Sequence, residues 1–192
     1  MVHEEKLQET MRFYLLATRL KYKIRSGWDE KHWNVQKERL ESVAEHVYGA
    51  LIFLMGLHSE INLDVDLFKV LKMLTLHEIG EAIIPDYTPY DNITPEEKQE
   101  IEHQAMEEVL GDLARKEEYF SLLLEFDEQK TKEAILAFYI DKMEADIQCK
   151  VYQDMGCHHS FDSWYEVDKP LYKGDELFLA FLEYIKNHST LI

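Results

Sequence analysis

Apolar residues recur at helical spacing along most of the chain, and no stretch reads as a convincing strand. Residues 5–23 read as an amphipathic helix, with Leu7, Met11, Tyr14, Leu15 and Thr18 near one face. Residues 25–38 carry Gly27, two Trp and mixed charge, and read as a loop. Ser42 or a neighbour starts a helix that runs to about residue 57. Asn62-Leu63-Asp64 separates it from a third helix over 65–83, with Asp64 as its cap. Residues 85–95 form a loop by their Pro and Asp content. Thr94-Pro95-Glu96-Glu97 is a helix start, because Thr caps, Pro takes the first position and Glu the third. That helix reaches about residue 111, and a shorter one follows over 115–126. A long helix over 128–155 stops at Gly156, residues 160–173 read as irregular, and 174–187 form a last helix. The pattern predicts an all-α bundle.

Composition narrows this further. A chain of 192 residues fits a single domain, here 1–192, with 160–192 as a C-terminal helical extension. Only 7 Gly and 4 Pro are present, too few for the many tight turns of an all-β sandwich. The formal net charge of −17 repels a polyphosphate backbone, which argues against a nucleic-acid partner. A small nucleotide is a different case, because a metal ion and one or two cationic side chains can dominate the local field. Cys149 and Cys157 lie eight apart and form neither a disulfide framework nor a C-x-x-C metal site. They read as idle thiols in a reducing cytoplasm. The N-terminus lacks the pattern of a signal peptide, and no stretch approaches the roughly 20 apolar residues that cross a membrane. The expected location is cytoplasmic, with no membrane partner.

The candidate chemistry lies in three separated fragments, Glu45-His46, His77-Glu78 and Asp141, each inside a predicted helix. Imidazole and carboxylate are the ligand types that hold a divalent ion such as Co, Mn, Mg, Zn or Fe. Residues 78 and 81 are i,i+3 and residues 77 and 81 are i,i+4, so their Cβ atoms lie about 5–6 Å apart on a helix. Adjacent residues 77 and 78 point about 100° apart, so a helix that uses both must lie beside the ion. Each residue alone has a blander reading. A lone His is commonly a core or surface residue, Glu81 is one of 38 acidic residues, and Lys142, Glu144 and Asp146 make the surroundings of Asp141 look like a solvated face. The case rests on their joint occurrence in order. His77-Glu78-x-x-Glu81 is not the H-E-x-x-H zinc-protease motif. Glu100-Ile101-Glu102-His103 is a single E-x-x-H where a di-iron bundle needs two. Cys157-His158-His159 has no matching second pair.

The neighbouring residues carry a resemblance. Arg25-Ser26-Gly27-Trp28 precedes Glu41-Ser42-Val43-Ala44-Glu45-His46, and Leu76-His77-Glu78-Ile79-Gly80-Glu81-Ala82 runs into Pro85-Asp86-Tyr87-Thr88-Pro89. Asp141-Lys142-Met143-Glu144 follows on the long helix. Over roughly residues 10–155 the chain resembles the HD-domain phosphohydrolases, in particular the small bacterial 5'-deoxynucleotidase type. The resemblance implies an HD-type helical bundle with one divalent metal held by His46, His77, Glu78 and Asp141. It implies Glu81 and Asp86 as catalytic groups and Arg25 and Trp28 as substrate-binding groups, with motifs over 25–146. Trp33 and Arg39 are rivals for the aromatic and cationic roles, and Lys98 is a candidate second phosphate contact. The implied reaction releases the 5'-phosphate from a deoxynucleoside monophosphate, and the implied assembly is a homodimer. The doublet here is His-Glu where the family's is His-Asp, which sets the carboxylate one methylene further from the backbone. Two alternatives stand beside the nucleotidase: another HD nucleotide phosphohydrolase or phosphodiesterase, and a catalytically quiet nucleotide- or metal-binding module.

Overall fold

The computed structural model describes residues 4–28, 35, 40–87, 91–157 and 161–190, with backbone alone at 161–163. Trp33, Arg39, His158 and His159 lie outside the described residues. Among those residues the chain is all-α; the sole extended pairing is an isolated antiparallel bridge between Ile24 and Ser42.

Capping explains the two best-defined helix starts. Ser42 caps α2 (Val43–Glu60), and Thr94 caps α4 (Pro95–Leu110). Each forms a reciprocal box with the Glu three residues on, Glu45 and Glu97, and Pro95 opens α4 as its sequence predicts. α3 (Leu67–Leu76) is capped by Asp66 rather than Asp64, because the Asp66 side chain reaches the Lys69 N–H. α5 spans Lys116–Glu128 and α6 spans Lys132–Asp154, ahead of Gly156 at φ 92°.

Three expectations need correction. The third helix does not run to residue 83. It ends at Leu76, and after a turn at His77 and Glu78 the chain continues as a 3-10 turn, Ile79–Ala82. Of the stretch expected to be irregular, 161–172 is helical: α7 (Phe161–Asp168) and a 3-10 turn (Lys169–Tyr172) occupy it, ahead of α8 (Glu176–Asn187). In α1 (Glu4–Ala17) the face expected to point inward points out. Leu7, Met11, Tyr14 and Leu15 are exposed, while Phe13, Leu16 and Ala17 pack on the core.

α6 is the axle of the fold, packing against α2, α3, α5, α7 and α8. It is buried around most of its circumference, which is why its residues lack a one-sided pattern. Leu54, Val70, Met73, Leu74, Ile140, Met143, Tyr172 and Phe178 form the main core around it. A second cluster, with Leu20, Val43, Leu76, Ile79, Met106 and Val109, closes the side where α4 covers the 3-10 turn. Asp141, Glu144 and Asp146 are buried in this packing, so the apparent solvated face of α6 is an interior one.

Candidate metal centre and substrate cavity

Three elements bring the sequence-predicted ligands together. His46 comes from the first turns of α2, His77 and Glu78 from the break after α3, and Asp141 from the middle of α6. One ligand atom from each of His46, His77, Glu78 and Asp141 lies within 4.8 Å of every other. The break is what allows neighbours 77 and 78 to share a target. Glu78 adopts φ −97° and ψ 10°, outside the α-helical well, so its side chain leaves the direction a continuous helix would impose.

The contacts set the polarity of each ring. His77 Nδ1 donates to the Leu74 carbonyl at 2.8 Å, which leaves Nε2 as the atom with a lone pair. That Nε2 is buried without a hydrogen bond and lies 3.4 Å from Asp141 Oδ1 and 3.7 Å from Glu78 Oε1. His46 Nε2 lies 2.9 Å from Asp141 Oδ1 and 3.8 Å from Glu78 Oε1. Its Nδ1 donates to the Glu144 carboxylate behind it, the arrangement that orients a metal-bound imidazole. Gly49 makes room for that carboxylate, because a Cβ there would overlap Glu144 Oε1. Two imidazole nitrogens and two carboxylates, with an orphaned Nε2 aimed among them, fit a divalent cation.

The field is consistent with this. Burial disfavours the Asp141 carboxylate, yet Lys142, at 2.9 Å from its Oδ2, and the two histidines hold it well below its usual range. Burial likewise works against the Glu78 carboxylate, but His77 and Arg25 lower its pKa. Burial and Arg25 oppose the charged form of His46, and the carboxylates on its two sides outweigh them, pushing it up to about 9, so an ion bound here would take the place of the Nε2 proton.

Around these groups lies a cavity of about 450 Å³, lined among others by Arg25, Trp28, Glu81, Asp86 and Lys142. The segment carrying Arg25 is pinned to the start of α2, with Arg25 N–H donating to the Glu41 carbonyl at 3.1 Å and Val43 N–H to that of Lys23 at 2.8 Å. Arg25 Nη1 lies 3.8 Å from Glu78 and its Nε 3.7 Å from Glu41. Burial lowers its pKa, but Glu78, Glu41, Asp141 and Asp86 raise it further, so the guanidinium stays charged. Trp28 is held by an indole N–H to Glu41 Oε1 at 2.8 Å and stacks on Trp164 with centroids 5.0 Å apart. Asp86 accepts the Ser26 backbone N–H at 2.7 Å, which ties the Pro85–Asp86 turn to the Arg25–Trp28 turn. Glu81 is buried with Oε2 unpartnered, and burial, Glu78 and Asp86 push it up to about 11. Lys98 also lines the cavity, but its ammonium already donates to the Tyr87 carbonyl and sits 3.5 Å from Glu102.

Sequence reasoning missed several groups. Glu144 behind His46, Glu41 between Arg25 and Trp28, and Trp164 and Asp168 from α7 all belong to the site or its wall. Glu144 was findable, lying three residues after Asp141 on one helix face. Trp164 and Asp168 carry no local signal, since their approach depends on how α7 folds back on α6.

Comparison with known proteins bears on the assignment. The HD-domain family profile matches residues 17–171. The 5'-deoxynucleotidase HDDC2 of Dictyostelium discoideum is 33% identical over 150 residues, covering 74% of this chain and 77% of that protein. The Homo sapiens 5'-deoxynucleotidase HDDC2 is 30% identical over 148 residues, covering 76% and 69%. A conserved hypothetical protein from Pyrococcus furiosus superposes with a TM-score of 0.74 at 28% identity, covering 93% of this chain and 99% of that one. With its ligand types, their order and the all-α bundle matched by a profile over most of its length, this chain belongs to the HD-domain family.

Proposed function

We propose that the protein is a metal-dependent phosphomonoesterase that releases the 5'-phosphate from deoxynucleoside monophosphates. The observation that carries this reading is the buried, unpartnered Nε2 of His77, set among His46, Glu78 and Asp141 in a cavity that also holds Arg25 and Glu81. The similar proteins named 5'-deoxynucleotidase supply the substrate class.

In this reading His46, His77, Glu78 and Asp141 hold one divalent ion, of which Co, Mn, Mg, Zn and Fe are the candidates. A bound divalent ion supplies Lewis-acid polarisation of the phosphate and a water acidified towards neutral pH. Arg25 neutralises the phosphate, a role its permanent charge and fork of donors suit. Trp28, fixed by Glu41 and Trp164, is a rigid wall for the sugar. Water attacks phosphorus, the bond from phosphorus to the 5'-oxygen breaks, and that oxygen needs a proton. Glu81 is the donor, because burial and its acidic neighbours bias it to carry one. Asp86 is the alternative donor, placed beside it by the Ser26 N–H.

The chain works as one domain over 1–192, with 160–192 completing the cavity wall. We place it in the cytoplasm, where its substrates are and where Cys149 and Cys157 stay free thiols. Among the described residues no helix is long and apolar enough to cross a membrane. The active form is a homodimer without nucleic acid, in keeping with the acidic surface and the exposed apolar stripe of α1.

The test is phosphate release from a panel of nucleoside and deoxynucleoside monophosphates, with Co, Mn, Mg or Zn added to chelator-stripped protein. Metal-dependent release that Glu81→Ala lowers at least about a hundredfold is the expected result. Folded protein that releases nothing with any of these metals would replace this reading with a diesterase or a binding module.

A further inference from the structure

The C-terminal segment places a carboxyl in the cavity that the phosphate chemistry leaves unused. Asp168, the last residue of α7, lines the cavity beside Lys142, Ala145, Trp164 and Leu171, and is 9% exposed. Directly behind it is Asp146 of α6, with no exposed surface at all. Asp146 Oδ1 accepts the Trp164 indole N–H at 2.6 Å, and its Oδ2 accepts the Tyr172 hydroxyl. The two carboxyls also share a hydrogen bond, and burial followed by the charge of Asp168 pushes Asp146 up to about 8. Both Asp146 oxygens are therefore committed to the protein, and Asp168 is the member of the pair that meets the cavity.

Trp164 and Tyr172 already satisfy Asp146, while Asp168 is a buried carboxylate whose charge burial opposes and which hydrogen bonds from Asp146 and Trp164, with Lys142 nearby, favour without filling all its lone pairs. A buried carboxyl with acceptor capacity left over, set into the wall of a cleft, is a candidate for meeting a ligand. Its position says which part of a substrate it meets. Along α6 the cavity is lined by Asp141 and then by Ala145, one helical turn and about 6 Å further on. Asp168 lines the cavity with Ala145 and with Trp164, one turn of α7 before it, and Trp164 stacks on Trp28, the wall read above as the sugar's. A 5'-nucleotide with its phosphate at the level of Asp141 directs its nucleoside towards that of Ala145.

On the phosphomonoesterase reading, we propose that Asp168 is a specificity-determining residue that accepts a hydrogen bond from a hydroxyl or amino group of the nucleoside, while Asp146, Trp164 and Tyr172 hold it in place.

Steady-state kinetics of the full chain with its metal test this, comparing wild type with Asp168→Ala and the near-isosteric Asp168→Asn. The substrates are the four common deoxynucleoside 5'-monophosphates, their 3'-deoxy counterparts, and phenyl phosphate, which offers no donor beyond its phosphate. The expected result is that Asp168→Ala raises KM for deoxynucleotides about tenfold to a hundredfold more than for phenyl phosphate, the effect of one hydrogen bond to a charged group. Asp168→Asn, which keeps an acceptor oxygen, falls in between. If the donor is the 3'-hydroxyl, the wild type loses a similar factor on the 3'-deoxy substrates and the Ala variant does not. If it is a base amino group, the spread among the four bases collapses in the variant. An equal change on nucleotides and phenyl phosphate, or no change in either variant of an active enzyme, would overturn the proposal and leave the nucleotidase reading standing. A wild type inactive on every nucleotide yet folded removes that reading and the proposal with it.

Discussion

Glu78 is where this chain departs from the His-Asp doublet it resembles, and the structure gives the departure a physical setting. Its Oε1 lies 3.7 Å from His77 Nε2, 3.8 Å from His46 Nε2 and 3.8 Å from the Arg25 guanidinium. The longer side chain thus already reaches the other donors from its place in the turn after α3. An Asp at 78 would withdraw the carboxylate by one methylene from both histidines and from Arg25 together. Glu78→Asp is therefore expected to weaken metal binding at least about tenfold, by analogy with the loss from disturbing a supporting group. Calorimetric titration of the chelator-stripped protein reads this directly, apart from turnover. Tighter binding by the variant would instead mean that the site is a worn version of the His-Asp centre.

At the scale of elements, much of the bundle was legible because local chemistry wrote it. The Thr94-Pro95-Glu96-Glu97 start of α4 and the Gly156 stop after α6 are decided by caps and glycine, which act within a few residues. The break after Leu76 was not legible. His77-Glu78-Ile79 continues the apolar rhythm of α3, and the 3-10 turn that replaces the helix packs under α4, a contact the local sequence does not reveal. The four metal-ligand candidates were legible from their order in the chain, but their supports were not. Glu144 and Asp146 look like surface charge on α6 until α2, α7 and the Lys169–Tyr172 turn close over them. The burial of Asp146 has a measurable consequence. Its folded pKa is about 8, against about 3.9 for an unfolded Asp. The folded state keeps a proton that the unfolded state releases, so stability falls as pH rises from about 4 to 8, by up to about 1.4 kcal/mol per pH unit. Asp146→Asn keeps one oxygen to accept the Trp164 N–H and gains an amide that donates to Asp168 and to the Tyr172 oxygen, without a group that ionises. Denaturant unfolding of metal-free protein at several pH values should show a shallower decline for the variant over that window. Parallel declines would mean that Asp146 is already ionised in the folded state.

For the whole molecule, the outward face of α1 is the feature its packing leaves unexplained. Leu7, Met11, Tyr14 and Leu15 follow the i, i+4, i+7, i+8 spacing of a buried stripe, and each is more than half exposed. The helix has no buried residue of its own, and Arg12 ties it to the rest through the carbonyls of Glu108 and Val109 at the end of α4. A face built like a core stripe but turned outward is suited to meeting another copy of itself, and the homodimer uses it in our reading. The net charge of −17 opposes that meeting at a distance, so the association should tighten as salt screens the repulsion. Met11→Glu combined with Leu15→Glu adds charge at exposed positions and removes little packing within the chain. Sedimentation equilibrium is expected to find a dimer for wild type and a monomer for the double variant, with thermal unfolding showing that both are folded. A double variant that remains dimeric would move the interface to the Tyr48, Ile52 and Met55 stripe of α2, which is also exposed. A wild type that is monomeric at every salt concentration would remove the dimer from the reading altogether.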